Sequence, residues 1–511
     1  MAWSSYQNAI FEYATNPNNG SFVISAVAGS GKTTTLVECA KRISGENPFS
    51  NILFLAFNKS IVEKLRSEVT SPNMKCATLH SLGLSVLYKS KMKFVMNDSK
   101  WKNYINKNLN KLLVGDIPEK KKFIFVKNCI QLLQLCRINL IKPGDDDGIK
   151  DIAFRFHIGT LANEVEAVSK LLKTANNLFA FKTPKGIEID YTDMLCWPLL
   201  DSFRKYIFKY NVVFIDEAQD LSLAQQTLML ECVAKDGKFI ASGDKNQSIT
   251  GFAGTMVDSF DALYKKAGKQ LPLSVNYRCG KTIIERAQTI VPEIEAYEEA
   301  VEGEIIHQEN LAGVEIGDMV ICRKTNPLID IALKMMRKGI SCYVKGADIA
   351  EKLKTMVQST YDSDDSGLSK EQMFAKLDAI RNKLYVDLKD RGISNPYSHP
   401  VYINTCDNIE AIKTVSEYCL GVGDVIELLD KIFDDTVRGD AIMLSTVHKA
   451  KGLEADNVYI VCPELLPMTF ENQQDWELKQ EMNLKYVAIT RAKKKLVFVD
   501  VPEKQIDCLM I

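Results

Sequence analysis

The sequence predicts an α/β fold built on parallel sheets, and three observations carry that expectation. Short apolar runs at Phe22–Ala26, Ile52–Phe57 and Val212–Ile215 lack polar alternation, as strands buried on both faces of a parallel sheet do. Helical patterns follow them: the first run enters a Gly-rich turn and then the helix-like Lys32–Arg42, while the third ends in Asp216 and Glu217. Both turns lie outside the carboxyl ends of strands, where open α/β sheets bind ligands. The plan returns with strand-like Met319–Cys322, helical Leu328–Lys338 and strand-like Ser341–Val344, and its sheet resumes at Ala441–Ser445, Val458–Cys462 and Leu496–Val499. The interval 347–437, which holds the acidic stretch from Tyr361 to Gly367, reads as a helical insertion.

A chain of 511 residues has room for three or four domains at about 150 residues each. Its 46% apolar and 25% charged residues are ordinary globular composition, which excludes disordered, collagenous and coiled-coil classes. Lys and Arg number 64 against 65 Asp and Glu, so a polyanionic partner must be held by a local patch rather than by global charge. The 13 cysteines never form a C-x-x-C pair, so neither a disulfide framework nor a zinc site is signalled, and a reducing compartment is expected. No leader-like start and no apolar run of about 18 residues occurs. The expectation is an intracellular protein, cytoplasmic in a prokaryotic or phage-infected cell, neither secreted nor membrane-bound.

Charge is distributed unevenly. Residues 89–127 hold 11 lysines against Asp98, Asp116 and Glu119, with Phe94, Trp101, Tyr104, Phe123 and Phe125 interleaved. Two readings are open: a solvated helical face over core aromatics, or a patch for a phosphate backbone. Residues 293–318 carry nine Asp or Glu and no Lys or Arg, and should face away from nucleic acid.

Ala26-Val-Ala-Gly-Ser-Gly-Lys-Thr33 stands between a predicted strand and a helix, the context a phosphate-binding loop requires. Backbone N–H groups and the helix N-terminus cradle phosphates, Lys32 reaches the β and γ phosphates, and Thr33 is placed to bind Mg²⁺. The alternative is a chance Gly-rich turn. Val212-Val-Phe-Ile-Asp-Glu217 supplies the other half of that chemistry, Asp216 for the metal and Glu217 to polarise an attacking water. Adjacent carboxylates are usually a surface pair, but charge at the end of a buried strand needs a partner such as a metal. Together these elements predict an NTPase that uses Mg²⁺.

Further motifs make the chain resemble superfamily 1 helicases of the UvrD/Rep/PcrA type, from Tyr6 to about Val499. Tyr6-Gln7 resembles the adenine-reading Q motif, and Ala28-Gly29-Ser30-Gly31-Lys32-Thr33, with Thr34 beside it, resembles that family's own phosphate loop. Leu55-Ala-Phe57-Asn58-Lys59-Ser60 and Thr78-Leu-His80-Ser81 resemble motifs that touch single-stranded DNA. Gly243-Asp-Lys-Asn-Gln247-Ser-Ile-Thr-Gly-Phe252 resembles motif III, which implies a γ-phosphate contact from Gln247 and base stacking on Phe252; a core phenylalanine is the plainer alternative. Asn276-Tyr277-Arg278 resembles motif IV, implying adenine packing on Tyr277 and a γ-phosphate contact from Arg278. Thr446-Val-His448-Lys-Ala-Lys-Gly-Leu-Glu454 resembles motif V, implying a ribose contact from Glu454 and DNA near His448. Tyr486-Val-Ala-Ile-Thr-Arg491-Ala resembles motif VI, implying that Arg491 reaches the γ-phosphate from the second motor domain.

The resemblance implies two RecA-like parallel-sheet motor domains, each with a mainly helical insertion. Motor domain 1A is expected at 1–88 and 185–283 and its basic, DNA-contacting insertion 1B at 89–184; motor domain 2A at 284–346 and 438–511 encloses a reduced insertion 2B at 347–437. The implied function is an ATP-dependent helicase or translocase moving 3′ to 5′ on single-stranded DNA and opening single-strand/duplex junctions, with replication or repair proteins as partners. A different class is also compatible: a nucleotide-sensing subunit that switches a partner protein, as in an antiphage complex, without processive unwinding. A bare strand-binding module is disfavoured because Lys32, Thr33, Asp216, Glu217, Gln247, Arg278 and Arg491 are all present.

Overall fold

The computed structural model describes residues 3–56, 63, 72–113, 119–156, 158, 164–249, 251, 259–361, 368–390, 393–437, 439–471 and 473–510. They group into two compact units, Met1–Val27 with Gly31–Ser274 and Ala28–Ser30 with Val275–Ile511.

In the first unit β1 (Phe22–Ala26), β2 (Ile52–Leu55) and β3 (Met74–Ala77) precede a small sheet of β4 (Phe94–Met96), β5 (Lys182–Thr183) and β6 (Gly186–Ile189). Then come β7 (Tyr210–Ile215), β8 (Val233–Gly243) and β9 (Gln270–Leu273). The main sheet runs β3-β2-β7-β8-β1-β9 with every pair parallel. Its strands lack alternation because both faces are covered. Ile52 and Phe54 of β2 enter one core with Ile10, Phe11 and Leu36, while Leu53 and Leu55 enter the other with Trp197, Val213 and Leu228. The same register sets β7, β8 and β1 side by side, so their carboxyl ends share one edge.

Between β3 and β7, the helices Lys100–Lys107, Glu119–Ile138, Asp146–Arg155 and Glu164–Ala175 build a core of their own around Trp101, Phe125, Leu132 and Leu171. Phe94, Trp101 and Phe125 of the basic stretch are thus core residues, as the plainer reading of that stretch has it. Lys100, one of its lysines, is buried too. It pairs with Asp193, and the Arg137 guanidinium reaches Asp193 at 2.5 Å, with Asp190 alongside. Lys100 also lies 4.6 Å from the Phe181 ring centre and 4.9 Å from that of Trp197. Burial opposes its charge more strongly than Asp193 favours it. Such a quartet adds little over an apolar core, but breaking one member typically costs about 3–5 kcal/mol, which ties the helical insertion to the Asp190–Asp193 turn.

The second unit begins with the short β10 (Val275–Asn276) and β11 (Glu295–Ala296) and continues with β12 (Glu304–Gln308), β13 (Met319–Cys322), β14 (Cys342–Lys345), β15 (Ile442–Thr446), β16 (Ala455–Val461) and β17 (Ala492–Val499). Its six-stranded sheet, β12-β17-β16-β13-β15-β14, is again wholly parallel. Helices Ala347–Gln358, Lys370–Asp390, Pro400–Glu417 and Val422–Ile432 lie between β14 and β15. They share one core with the sheet, in which Leu353, Ile412 and Leu429 pack with Val320 and Leu444. Two parallel six-stranded sheets in one chain are the predicted α/β class. Among the described residues no helix is long and apolar enough to cross a membrane.

Candidate nucleotide site

β1 ends at Ala26, and the chain turns through Gly29 and Gly31, both left-handed at φ 64° and 76°. Side chains adopt that region at a cost, so glycine suits both places. Space matters as well: a Cβ on Gly29 would stand 2.6 Å from Asn276 Nδ2 and 2.8 Å from Arg278 Cβ. Gly31 caps the helix Lys32–Glu46 without a side-chain hydrogen bond, so its first N–H groups form an anion-binding N-terminus. Ser30 is buried and Thr34 exposed. The Ala28 N–H donates to Tyr486 Oη at 2.9 Å, Asn276 Nδ2 donates to the Ala28 carbonyl at 2.6 Å, and the Tyr277 N–H donates to the Gly29 carbonyl at 2.9 Å. Gln7 is buried beside the start of this helix. It caps its own helix through Ser4 and donates from Nε2 to Thr35 Oγ1 at 3.2 Å.

Three carboxylates converge at the same edge. Asp216, 1% exposed after β7, accepts from Thr33 Oγ1 at 2.5 Å through one oxygen and from the Glu217 N–H at 2.9 Å through the other. Glu217 is left-handed at φ 53° although it is not glycine. Asp244, fully buried after β8, accepts from Gln247 Nε2 at 2.8 Å and from the Asn246 N–H at 2.9 Å. Burial, with the Glu217 charge second, pushes Asp216 up to about 6 against the pull of Thr33 and Lys32. Burial likewise pushes Asp244 up to about 6, opposed chiefly by Lys32. Lys32 is thus the cation that both buried carboxylates face.

This arrangement has a pH signature. Both folded values lie above the ordinary 3.8, so the folded chain holds these protons more tightly than the unfolded chain. The stability so contributed is complete below about pH 4 and is lost as pH rises through about 6. Asp216→Asn, which removes the ionisation, is expected to stabilise the ligand-free protein at pH 7.5 by about 1–3 kcal/mol, the ceiling being two pK units at about 1.36 kcal/mol each. It should also flatten the loss of stability between pH 5 and 7. Thermal unfolding of both forms across pH 5–8 checks this; parallel curves would contradict it.

In the second unit Arg278 Nε lies 2.5 Å from Glu454 Oε2, and Lys493 Nζ lies 2.8 Å from the other oxygen. Burial works against the Glu454 charge, but Lys493 and Arg278 together hold its carboxyl below the usual range. Tyr277 packs on Tyr297 with ring centres 5.1 Å apart. Arg491, 1% exposed, donates to the Val487 and Leu453 carbonyls at 2.9 Å each and to Thr490 Oγ1 at 3.2 Å. Burial, then repulsion by Arg278, pushes its guanidinium down to about 10.

The residues expected at DNA are more scattered. Thr78 is the N-cap of helix Leu79–Tyr88, with Ser81 as its capping-box partner. His80 is half-buried edge-on to Tyr191, and burial lowers its pKa. His448 is held neutral: burial first, then Arg323 and Lys449, push it down to about 3. Phe57, Asn58, Lys59 and Phe252, and the side chains of Lys120 and Lys121, lie outside the described residues.

Sequence reasoning assigned no role to Asp244, Gln219, Asn276 or Tyr486, although all but Gln219 stand inside quoted motifs. Asp244 carried no strand-end signal like that of Asp216, because the strand it follows, Val233–Gly243, has a polar first half. Gln219 carried none, since a glutamine two residues past the Asp-Glu pair looks like any surface glutamine.

A parallel sheet with a glycine-turned phosphate loop at one strand end and buried carboxylates at the next two defines the P-loop class, here in a chain with a second parallel six-stranded sheet. Residues 7–268 match the UvrD/REP helicase N-terminal domain and residues 337–501 match the UvrD-like helicase C-terminal domain. The chain belongs to the UvrD/REP helicase family. It is 25% identical to F-box DNA helicase protein 1 of Schizosaccharomyces pombe, over 97% of this chain and 57% of that protein, and 25% identical to F-box DNA helicase 1 of Gallus gallus, over 93% and 47%. It is 22% identical to the ATP-dependent DNA helicase PcrA of Staphylococcus epidermidis, over 94% and 82%. The chain thus spans about half the length of the two F-box relatives.

Proposed function

We propose that this chain is an ATP-driven DNA motor that hydrolyses Mg-ATP, moves 3′ to 5′ along single-stranded DNA and opens duplex at single-strand junctions. The observation that carries the reading is the 2.5 Å contact of Thr33 Oγ1 with Asp216 Oδ2, which joins the phosphate loop to the Asp-Glu strand end. A hydroxyl and a carboxylate are hard oxygen donors of the kind Mg²⁺ takes when phosphates and water complete its shell. Thr33 and Asp216 would hold it, and bound Mg²⁺ would neutralise charge on the β and γ phosphates.

The chain's own groups divide the remaining work. Lys32 and the loop amides of Gly29–Thr33, next to Thr34, bind the phosphates; Gln7 and Tyr277 take the adenine side, and Glu454 the ribose. Glu217 orients the attacking water and accepts its proton. Gln247, Arg278 and Arg491 contact the γ-phosphate, Arg491 arriving from motor domain 2A as it closes on 1A, so that loss of the γ-phosphate reopens the pair. Phe57, Asn58, Lys59, Thr78, His80, Phe252 and His448 form the DNA track; His448, neutral, would contribute hydrogen bonds rather than charge. The domain division, the reducing intracellular setting and the replication or repair partners named above belong to the same reading.

The test combines two assays on the purified chain. ATP hydrolysis is expected to rise severalfold with single-stranded DNA, and partial duplexes with a 3′ tail should open while those with a 5′ tail stay closed. Hydrolysis indifferent to DNA would sink the motor. Stimulated hydrolysis without strand separation would instead favour the nucleotide-sensing subunit.

A further inference from the structure

We infer that Gln219 is a positioning residue that aims Glu217 at the attacking water and links that aim to the exit of β8; this deepens the hydrolysis reading above and rests on it. Gln219 is 1% exposed and sits in the short helical turn Ala218–Asp220. Its Nε2 donates to Glu217 Oε2 at 2.7 Å and to Asp220 Oδ2 at 3.3 Å, while its Oε1 accepts the Asp244 N–H at 3.0 Å. One carboxamide therefore spans the ends of β7 and β8.

Three features argue that this link serves more than packing. Glu217 holds a left-handed backbone, φ 53° and ψ 43°, which costs a non-glycine residue free energy and persists only where the surroundings enforce it. The Gln219 amide meets the carboxylate of that residue at 2.7 Å. Room for the amide has also been kept. A Cβ on Gly243 would stand 2.6 Å from Gln219 Oε1, so any larger residue at the end of β8 would displace the carboxamide. Finally, Asp244, whose N–H the carboxamide accepts, holds Gln247 through its own carboxylate. A movement of the Asp244–Gln247 turn is thereby passed to Glu217 through three hydrogen bonds.

The donor and the acceptor of the carboxamide can be tested apart. Gln219→Glu keeps an acceptor for the Asp244 N–H but replaces the donor with a carboxylate, which repels the Glu217 carboxylate instead of holding it. Gln219→Leu removes both bonds at similar volume. We expect Gln219→Leu to lower the kcat of DNA-stimulated hydrolysis by about 10–100-fold with KM for ATP within about twofold, because Gln219 does not touch the nucleotide. Gln219→Glu, which loses only the donor, should show the same split, a kcat at least about tenfold lower with KM for ATP within about twofold, which a merely structural role would not produce. Nucleotide affinity, read with a fluorescent ATP analogue, and the thermal midpoint are measured alongside.

Each outcome decides something. Wild-type kcat in a folded Gln219→Leu or in Gln219→Glu overturns the proposal while the hydrolysis reading stands, provided Glu217→Gln is inactive. If Glu217→Gln hydrolyses ATP as fast as wild type, the site reading itself has failed and the role of Gln219 falls with it. Should Gln219→Leu fail to fold, the kcat of Gln219→Glu carries the decision alone.

Discussion

Arg491→Ala is expected to slow ATP hydrolysis by about 10³–10⁵-fold, the range for a transition-state arginine, or roughly 4–7 kcal/mol at about 1.36 kcal/mol per decade. The reason lies in how differently the two candidate arginines are compensated. Arg278 already faces Glu454 at 2.5 Å and must exchange that carboxylate for phosphate. The hydrogen bonds of Arg491 end instead on two carbonyls and a hydroxyl, all neutral, and its burial depresses its pKa to about 10. A buried cation with neutral partners is under-compensated, and an arriving anionic oxygen supplies the missing charge where the dielectric is low. Arg491 should therefore cost more than Arg278 when truncated. Arg491→Lys separates chemistry from folding, because it keeps a charge yet loses the planar fork. Most of the loss in kcat should persist in that variant with little change in its thermal midpoint. A lysine variant turning over at the wild-type rate would remove Arg491 from the mechanism.

How much of this was readable in advance depends on how the local chemistry announces itself. β1 and β13 were legible to the residue, because strands covered on both faces must be apolar throughout. β8 was not: its first half, Val233-Ala-Lys-Asp-Gly-Lys238, is polar and partly exposed, and only Phe239–Gly243 is fully covered. β12 hid for a related reason. It is an edge strand inside the acidic stretch 293–318, where charge masks the short Glu304–Gln308 pairing. Individual site residues that end strands or open helices could be found, since Lys32, Asp216 and Glu217 occupy positions that carry chemistry in any α/β sheet. The groups that orient them could not. Gln219 and Asp244 act through hydrogen bonds across neighbouring strand ends, and the strand order that makes β7 and β8 neighbours is a tertiary fact. The Arg278–Glu454 pair belongs to the same class, joining motifs some 176 residues apart.

Lys32→Ala and Glu217→Gln are both expected to abolish steady-state hydrolysis, but by separable routes. Glu217→Gln removes the proton acceptor while keeping the shape of the side chain, so kcat should fall by about 10²–10⁴-fold with nucleotide affinity nearly unchanged. Lys32→Ala should lose affinity as well, and for two reasons. One is the absent phosphate contact. The other is that Lys32 opposes the protonation of both Asp216 and Asp244, which stand at about 6 with the lysine present. Without its charge both would titrate still higher, so near neutral pH a growing share of Asp216 would carry a proton and fail to bind Mg²⁺. Raising the pH from 7 to 8.5 should then restore metal-dependent nucleotide binding in Lys32→Ala in part, yet leave hydrolysis abolished, because no change of pH replaces the ammonium at the phosphates. Titration of a fluorescent ATP analogue at the two pH values, with and without Mg²⁺, measures the difference. If binding by Lys32→Ala were equally weak at both, the lysine would act on the phosphates alone, and its electrostatic hold on the two buried carboxylates would play no part in function.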